Sequence, residues 1–351
     1  MAGTSGILEQ DLDSALERTR ELWQEMNGSR ILLTGATGFV GTHMLESVRH
    51  ARERTGVDVR VVAPARDPAR LHERLPWTKD AAWLEVVTGD VRRFAMPAGE
   101  IQFAIHSANT ASPGEIADDP RAIARMVIEG SSRVYSLAAA AGARRMLQLS
   151  SGSVSGAHFT PSKPVREDDP GEPSGGGPAD RLACAKRDAE RALLAAAKES
   201  GSPAVVFARG FALCGPWLPL DSAFAFGNFL GAAMGGKPIM VSGDGTPVRS
   251  YLYSGDMVVW LWTLLLRGEN GRAYNVGSER AVTIGDLAHR VAALLGGSVE
   301  IAGVPVAGAK AHWHVPDLTR AKSELGLAET VPLNDAIVRT AQWWASSGEL
   351  P

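Results

Sequence analysis

The segment Ile31-Leu-Leu-Thr-Gly35-Ala-Thr-Gly38-Phe-Val-Gly41 spaces three glycines between an apolar run and a helical pattern. Glycine permits a tight turn at the first position and close approach of backbone to a pyrophosphate at the second. At the third it lets the helix pack closely on the preceding strand. Free N–H groups and the dipole at the start of that helix favour an anion. The chemistry implied is dinucleotide binding, with Gly35, Thr37, Gly38, Phe39, Val40 and Gly41 around the phosphates. A second apolar run ends Val61-Val-Ala-Pro-Ala65-Arg66, with no acid where an NAD site would hold the ribose 2′-hydroxyl. An arginine fork instead pairs with a phosphate dianion, so Arg66 points to NADP. His312 and His314 bracket Trp313 with the alternation of a strand. No acid or third histidine stands at ligand spacing, so no metal is expected. Cys184 and Cys214, the 2 cysteines, are too few for a disulfide framework or a cysteine metal site and suit a reducing compartment. Asp67, Asp168 and Asp169 read as solvated loop acids.

These groups need a scaffold, and the apolar patterning supplies one. Strands are expected at Arg30–Thr34, Val57–Ala63, Leu84–Thr88, Ile101–Ser107, Arg144–Ser150 and Ala204–Ala208. Helices fall between most of them, including Val40–Arg54, Pro120–Ala141 and Asp180–Ser200. The alternation predicts an α/β fold, a Rossmann-type doubly wound parallel sheet with a smaller C-terminal substrate lobe. Residues 29–209 form the dinucleotide-binding part, rejoined by about 239–276; 210–238 and 277–351 form the lobe. Residues 1–28 precede them as an amphipathic helix, with Ile7, Leu8, Leu12, Leu16, Leu22, Trp23 and Met26 on one face, to pack on the protein's own surface. Gly152–Asp180 is rich in Gly, Pro, Ser and Asp and reads as a functional loop.

The 351 residues suit one large α/β unit with a lobe. A formal charge of -3 argues against a nucleic-acid or anionic-membrane partner. Met257–Leu266 is the longest apolar run. A span needs about 20 residues, so a fully buried helix is expected there instead. No apolar stretch in Met1–Ser29 reads as a signal peptide. These features lead us to expect a cytoplasmic monomer or homodimer acting on a small molecule.

Further segments join the glycine motif: Gly89-Asp90-Val91, Ile105-His-Ser-Ala108, Ser150-Ser151, Lys186, Arg209-Gly-Phe, and Gly243-Asp-Gly-Thr-Pro-Val-Arg249-Ser-Tyr-Leu-Tyr-Ser-Gly-Asp256. Together they resemble the extended branch of the short-chain dehydrogenase/reductase superfamily over about residues 29–347. The last segment is similar to the nucleotide-sugar epimerases and dehydratases. The resemblance implies that Asp90 and Val91 hold the adenine and that Ser107 and Ala108 line the nicotinamide ribose. It also implies that Lys186 binds that ribose and that Ser151 orients a substrate carbonyl. His106 would be structural, and Arg249 and Asn228 would match groups that contact a nucleotide sugar.

The family's acid is a tyrosine four residues before the lysine, on the same helix face. Here that position is Leu182, and Ser155 replaces a second tyrosine; the 4 tyrosines are Tyr135, Tyr251, Tyr253 and Tyr274. Cys184 faces elsewhere on the helix. Three explanations stand: a non-catalytic NADP-binding protein, a nucleotide-sugar epimerase or dehydratase with a substitute acid, or a reductase whose substrate supplies its own proton. The third resembles the atypical angucyclinone-type polyketide ketoreductases of antibiotic biosynthesis that lack the tyrosine. It implies NADPH-dependent reduction of a ketone on an aromatic polyketide. Substrate contacts would then come from Ser153, Phe159, Phe211, Trp217, Asn228 and Arg249, with Phe224 and Phe226 as further walls.

Overall fold

A computed structural model describes residues 6–108, 122–156, 163–169, 171, 173, 176–221, 224–306, 308 and 311–347. Seven parallel strands form the central sheet: β1 (Arg30–Thr34), β2 (Arg60–Ala65), β3 (Leu84–Thr88), β4 (Phe103–His106), β5 (Arg145–Ser151), β6 (Ala204–Gly210) and β7 (Ala273–Val276). Their order is β3-β2-β1-β4-β5-β6-β7, so the chain reverses direction across the sheet between β1 and β4. In open sheets of this type ligands bind beyond the strand C-termini at that reversal. Gly35–Gly41, Ser107 and Ala108 lie there.

Alternate side chains of each strand feed two apolar layers. Ile31, Leu33, Phe103, Ile105 and Leu147 pack on helices Phe39–Thr55 and Ser254–Arg267. Leu32, Val62, Ala104, Met146 and Val205 pack on helices Ala122–Ala140 and Pro178–Ala196. The run Met257–Leu266 is buried throughout except Thr263, because the N-terminal helices cover its outer side. That N-terminal segment is two helices, Gly6–Arg18 and Arg20–Glu25, broken at Thr19. Leu8, Leu12, Leu16, Trp23 and Met26 are buried in the main core. Polar contacts pin the segment: Tyr253 donates to Asp11, and Arg18 pairs with Asp256 at 2.6 Å.

Several boundaries differ from the expectations for one physical reason. Val57 and Val59 are buried but precede the ladder of β2, which starts at Arg60. Ile101 is buried too, yet its N–H donates to the carbonyl of Ala141 rather than to a strand. Apolar runs mark burial, whereas ladders need backbone partners. The stretch 239–276 divides. Ile239–Val241 pairs with Val299–Ile301, and Val248–Arg249 pairs with Val282–Thr283 and Trp313–His314, all in the lobe. Only Ala273–Val276 adds a strand to the central sheet. Asp168 is an exposed loop acid as expected, and it also pairs with Arg320, which draws its carboxyl below the usual range. Asp67 accepts from the Ala69 N–H at 3.0 Å and caps the helix Pro68–Arg74.

Candidate active site

Two recesses meet at Thr37 and Gly38. The first is lined by Gly35, Pro64, Ala65, Arg66, Gly89, Asp90, Val91, Ser107, Ala108 and Met126, beyond the ends of β1, β2, β3 and β4. Its floor is shaped by glycines. Gly35 has φ +76, and a Cβ there would lie 2.6 Å from Ser107 Oγ and 2.7 Å from the Ala108 nitrogen. A Cβ on Gly41 would lie 2.2 Å from the Gly35 carbonyl oxygen, so Gly41 locks helix to loop. The helix Phe39–Thr55 starts at Gly38 with no side-chain cap. Its first N–H groups are therefore open to an anion. This cradle fits the pyrophosphate of a dinucleotide. Phe39 turns into the second recess instead, and Val40 packs against the core.

At the adenosine end, Asp90 is bound by Arg92, whose Nε lies 2.8 Å from Asp90 Oδ1. That contact and the positive charge of nearby Arg66 hold its carboxyl below the ordinary value. Ala65 is buried at the end of β2, and Arg66 is exposed beside it. The next acid, Asp67, is taken up as a helix cap. No carboxylate among the described lining residues stands at the end of β2.

The second recess is a cavity of about 1060 Å³, large enough for a drug-sized ligand. Ser151 and Ser153 line it at the end of β5, Phe211 follows β6, and Trp217, Phe224 and Phe226 form a wall. Arg249 lines the cavity from the lobe. Ser151 Oγ accepts from the Ser153 N–H at 3.2 Å, which leaves its hydroxyl hydrogen to be donated. Phe211 covers Gly152, where a Cβ would meet its ring at 2.3 Å. Asn228 is exposed on the helix Ala225–Met234 and is not among the lining residues. Phe159 lies outside the described residues.

Lys186 sits on the helix Pro178–Ala196 with its Nζ 3.4 Å from the Ser150 carbonyl oxygen. Burial is the larger influence on it and lowers its pKa to about 8; Glu190 acts in the opposite sense. Glu190 itself is held by Arg209 at 2.7 Å, tying this helix to β6. His106 is fully buried at the end of β4, with Nδ1 2.6 Å from Thr34 Oγ1. Burial and the Lys186 charge depress its pKa to about 3, so it stays neutral. Leu182 is not among the residues lining the cavity. It packs with Ile123, Val127, Ala185 and Ala189 between the two helices on that face. Cys184 Sγ contacts the Pro173 carbonyl at 3.6 Å.

Three of the four tyrosines are placed elsewhere. Tyr135 donates to the Pro203 carbonyl, Tyr253 to Asp11 and Tyr274 to Glu324. Tyr251 reaches the cavity, but its ring packs on Phe226 and burial raises its pKa. A weaker phenol is a poorer acid at neutral pH.

Arg74 and the pair His312 and His314 escaped the sequence reading as lining groups, whereas Trp217 was expected there. Arg74 donates to the Thr37 carbonyl at 3.0 Å and lines the cavity where the two recesses meet. The His312–His314 alternation was legible, but nothing in it located the cavity. Trp217 has φ +63, an uncommon conformation for a bulky residue. Its ring lies 5.0 Å from His43 and 4.9 Å from Trp343, and His43 Nε2 bonds the Pro216 carbonyl at 3.0 Å. Among the described residues no group of three or more His, Cys, Asp or Glu could hold a metal, and no helix is long and apolar enough to cross a membrane.

Strand order, glycine cradle and adjoining cavity define a Rossmann-type dinucleotide-binding protein. The chain belongs to the NAD dependent epimerase/dehydratase family, whose model matches residues 31–277. Curated relatives include a UDP-glucuronic acid decarboxylase 1 from Danio rerio, 27% identical over 92% of this chain and 74% of its own length. UDP-glucuronic acid decarboxylase 5 from Arabidopsis thaliana is 27% identical over 88% of this chain and 87% of its own. Among solved structures, a UDP-glucose 4-epimerase from Thermotoga maritima superposes with TM-score 0.75 at 21% identity, covering 91% of this chain and 100% of that one. A dTDP-glucose 4,6-dehydratase from Bacillus anthracis, solved with NAD, gives 0.75 at 18% identity over 92% and 98%. These structural likenesses establish the shared fold.

Proposed function

We propose that this chain is an NADPH-dependent oxidoreductase that reduces a ketone on a large planar aromatic polyketide of the angucyclinone type, with the proton drawn from a phenol of the substrate. One observation carries the reading: Leu182, four residues before Lys186, packs against an apolar cluster between two helices. No described tyrosine takes over its position.

The recess of Gly35, Thr37, Gly38, Asp90, Val91, Ser107 and Ala108 would hold the cofactor, with Arg66 on its 2′-phosphate. When bound, the reduced cofactor supplies a hydride. Lys186, protonated below about pH 8, would orient the nicotinamide ribose. Ser151 would donate to the ketone oxygen, and the aromatic walls would set the ring plane. As the carbonyl carbon gains hydride, its oxygen takes the proton of a phenol already hydrogen-bonded to it; water then restores the phenol. Positioned acid catalysis contributes roughly 10²–10⁴-fold, so substrate assistance can replace the missing side chain.

A second reading is favoured by the activities named for the relatives and by Arg249 in the cavity: a nucleotide-sugar epimerase, dehydratase or decarboxylase. It demands a base beside a sugar hydroxyl, and Leu182 supplies none. To separate the two, the protein is incubated with deuterium-labelled NADPH and 8-hydroxy-1-tetralone, and separately with UDP-glucose, UDP-glucuronic acid and dTDP-glucose. Deuterium in the tetralol with no sugar conversion is expected. Conversion of a nucleotide sugar without reduction of the ketone overturns the first reading.

A further inference from the structure

Among the described residues Trp217 alone, glycines aside, has a positive φ, at +63. A bulky side chain is disfavoured there, and such strain persists only where the surroundings over-determine it. The turn that carries Trp217 is wedged from several sides. A Cβ on Gly215 would lie 2.2 Å from Ser254 Oγ, at the start of the helix Ser254–Arg267. A Cβ on Gly227 would lie 2.1 Å from the Pro219 carbonyl oxygen, so the helix Ala225–Met234 closes on the other end of the turn. Trp343, on the helix Leu333–Ser347, sets its ring 4.9 Å from that of Trp217. One turn earlier on that helix Arg339 pairs with the buried Asp11 of the N-terminal segment, which anchors it.

His43 adds what packing alone does not, a directed hydrogen bond. It is buried on the helix Phe39–Thr55, which begins at the glycine cradle. Its Nε2 lies 3.0 Å from the Pro216 carbonyl oxygen. A carbonyl only accepts, so Nε2 carries the hydrogen. Burial lowers the pKa of His43 to about 3, against the opposing effect of the Pro216 contact, so the ring is neutral near pH 7. The same ring packs edge-on to Phe39 at 4.9 Å and to Trp217 at 5.0 Å. Phe39 and Trp217 both line the large cavity, whereas His43 stands behind them.

We propose that His43 is a positioning residue for the substrate cavity. From the dinucleotide-binding helix it fixes the Pro216 carbonyl and with it the strained Trp217 backbone, so that Phe39 and Trp217 form a preset aromatic wall for a flat ring system. This rests on the reading that the cavity holds an aromatic substrate. A wall set in advance leaves little ordering to be done when the ligand enters, which favours binding. The strain at Trp217 is thereby tied to ligand recognition, and the buried imidazole acts through the wall rather than on the substrate.

The test compares His43→Phe, which keeps a ring and loses the N–H, with His43→Gln, whose side-chain amide donates in its place. The proteins are labelled with 5-fluorotryptophan, and the Trp217 resonance is identified by its loss in Trp217→Phe. The NADP-loaded proteins are also titrated calorimetrically with 8-hydroxy-1-tetralone and, separately, with UDP-glucose. His43→Phe is expected to shift or split the Trp217 resonance and to weaken tetralone binding about tenfold, the worth of one buried hydrogen bond. His43→Gln should return both towards the native values, with NADP affinity unchanged. Trp343→Leu removes the contact from the lobe side; it should displace the same resonance, and it decides the matter if His43→Phe does not fold. A merely structural role predicts a lower melting temperature, with resonance and affinity unchanged in the folded variants, and that result overturns the proposal. A resonance that moves without any loss of affinity overturns it too. If UDP-glucose binds and the tetralone does not, and its affinity follows His43 in the same way, the positioning role stands and the aryl ketone reading falls.

Discussion

Replacing Lys186 by methionine asks whether the site holds a charge that the fold alone disfavours. In the folded protein the ammonium is partly buried, and burial lowers its pKa from 10.5 to about 8. At about 1.4 kcal/mol per pH unit, that drop corresponds to about 3 kcal/mol of destabilisation when the group is charged in both states. The folded pKa lies below the unfolded one, so the unfolded chain binds this proton more tightly. The penalty is therefore fully present below pH 8 and fades as pH rises towards 10.5, with stability increasing across that window. Lys186→Met keeps most of the length of the side chain and removes the charge. At pH 7 the cofactor-free variant is expected to be more stable than the native protein by about 1–3 kcal/mol, with the gap closing towards pH 10. Urea unfolding followed by tryptophan fluorescence, run on both proteins from pH 6 to about pH 10, measures it. The same variant should lose about tenfold or more in NADPH affinity or turnover, the signature of a site where function opposes stability. A variant less stable than the native protein at pH 7, with parallel pH profiles, refutes the reasoning.

Arg66→Ala should weaken NADPH binding about tenfold or more and leave NADH nearly unchanged, because a charge-assisted contact is worth roughly 1.5–3 kcal/mol; equal affinity of the native protein for both cofactors contradicts it. Gly41→Ala places a methyl 2.2 Å from the Gly35 carbonyl oxygen, so thermal melts should show lower stability and no shift on adding NADP. Ser151→Ala should cost about tenfold or less in turnover, the worth of one neutral hydrogen bond, since no tyrosine acts with it; complete loss would make Ser151 the acid.

The glycine loop, the strand sequence and the Lys186 helix were legible because each is written locally. Periodicity gives the element and glycine gives the backbone conformation. Boundaries such as Arg60 and Phe103 were less so, because a buried valine or isoleucine reads alike inside and outside a ladder. The glycine loop could be read from spacing and Asp90, Val91, Ser107 and Ala108 from the resemblance, and they line one recess, whereas the substrate side depends on contacts between distant segments. Asn228 matched a motif but points to solvent. His312 and His314 looked inert until Val248–Arg249 paired with their strand. Arg74 meets the Thr37 carbonyl across the mouth of the sheet, a contact that no local pattern encodes. Trp217 takes a backbone conformation that its residue type disfavours, packed by rings from two separate helices, His43 and Trp343. Leu182 was visible as a substitution, but its packing against the Ile123 and Val127 cluster was not.

The source of the proton is the central claim, and one comparison addresses it. Initial rates of NADPH oxidation are measured with 8-hydroxy-1-tetralone, whose phenol is hydrogen-bonded to its carbonyl, and with 8-methoxy-1-tetralone, which lacks that proton. The methyl ether is expected to be reduced about 10²-fold or more slowly, within the range of positioned acid catalysis, with comparable binding by titration. Equal turnover of the two ketones would mean that a protein group or an ordered water is the acid, and substrate assistance would have to be abandoned.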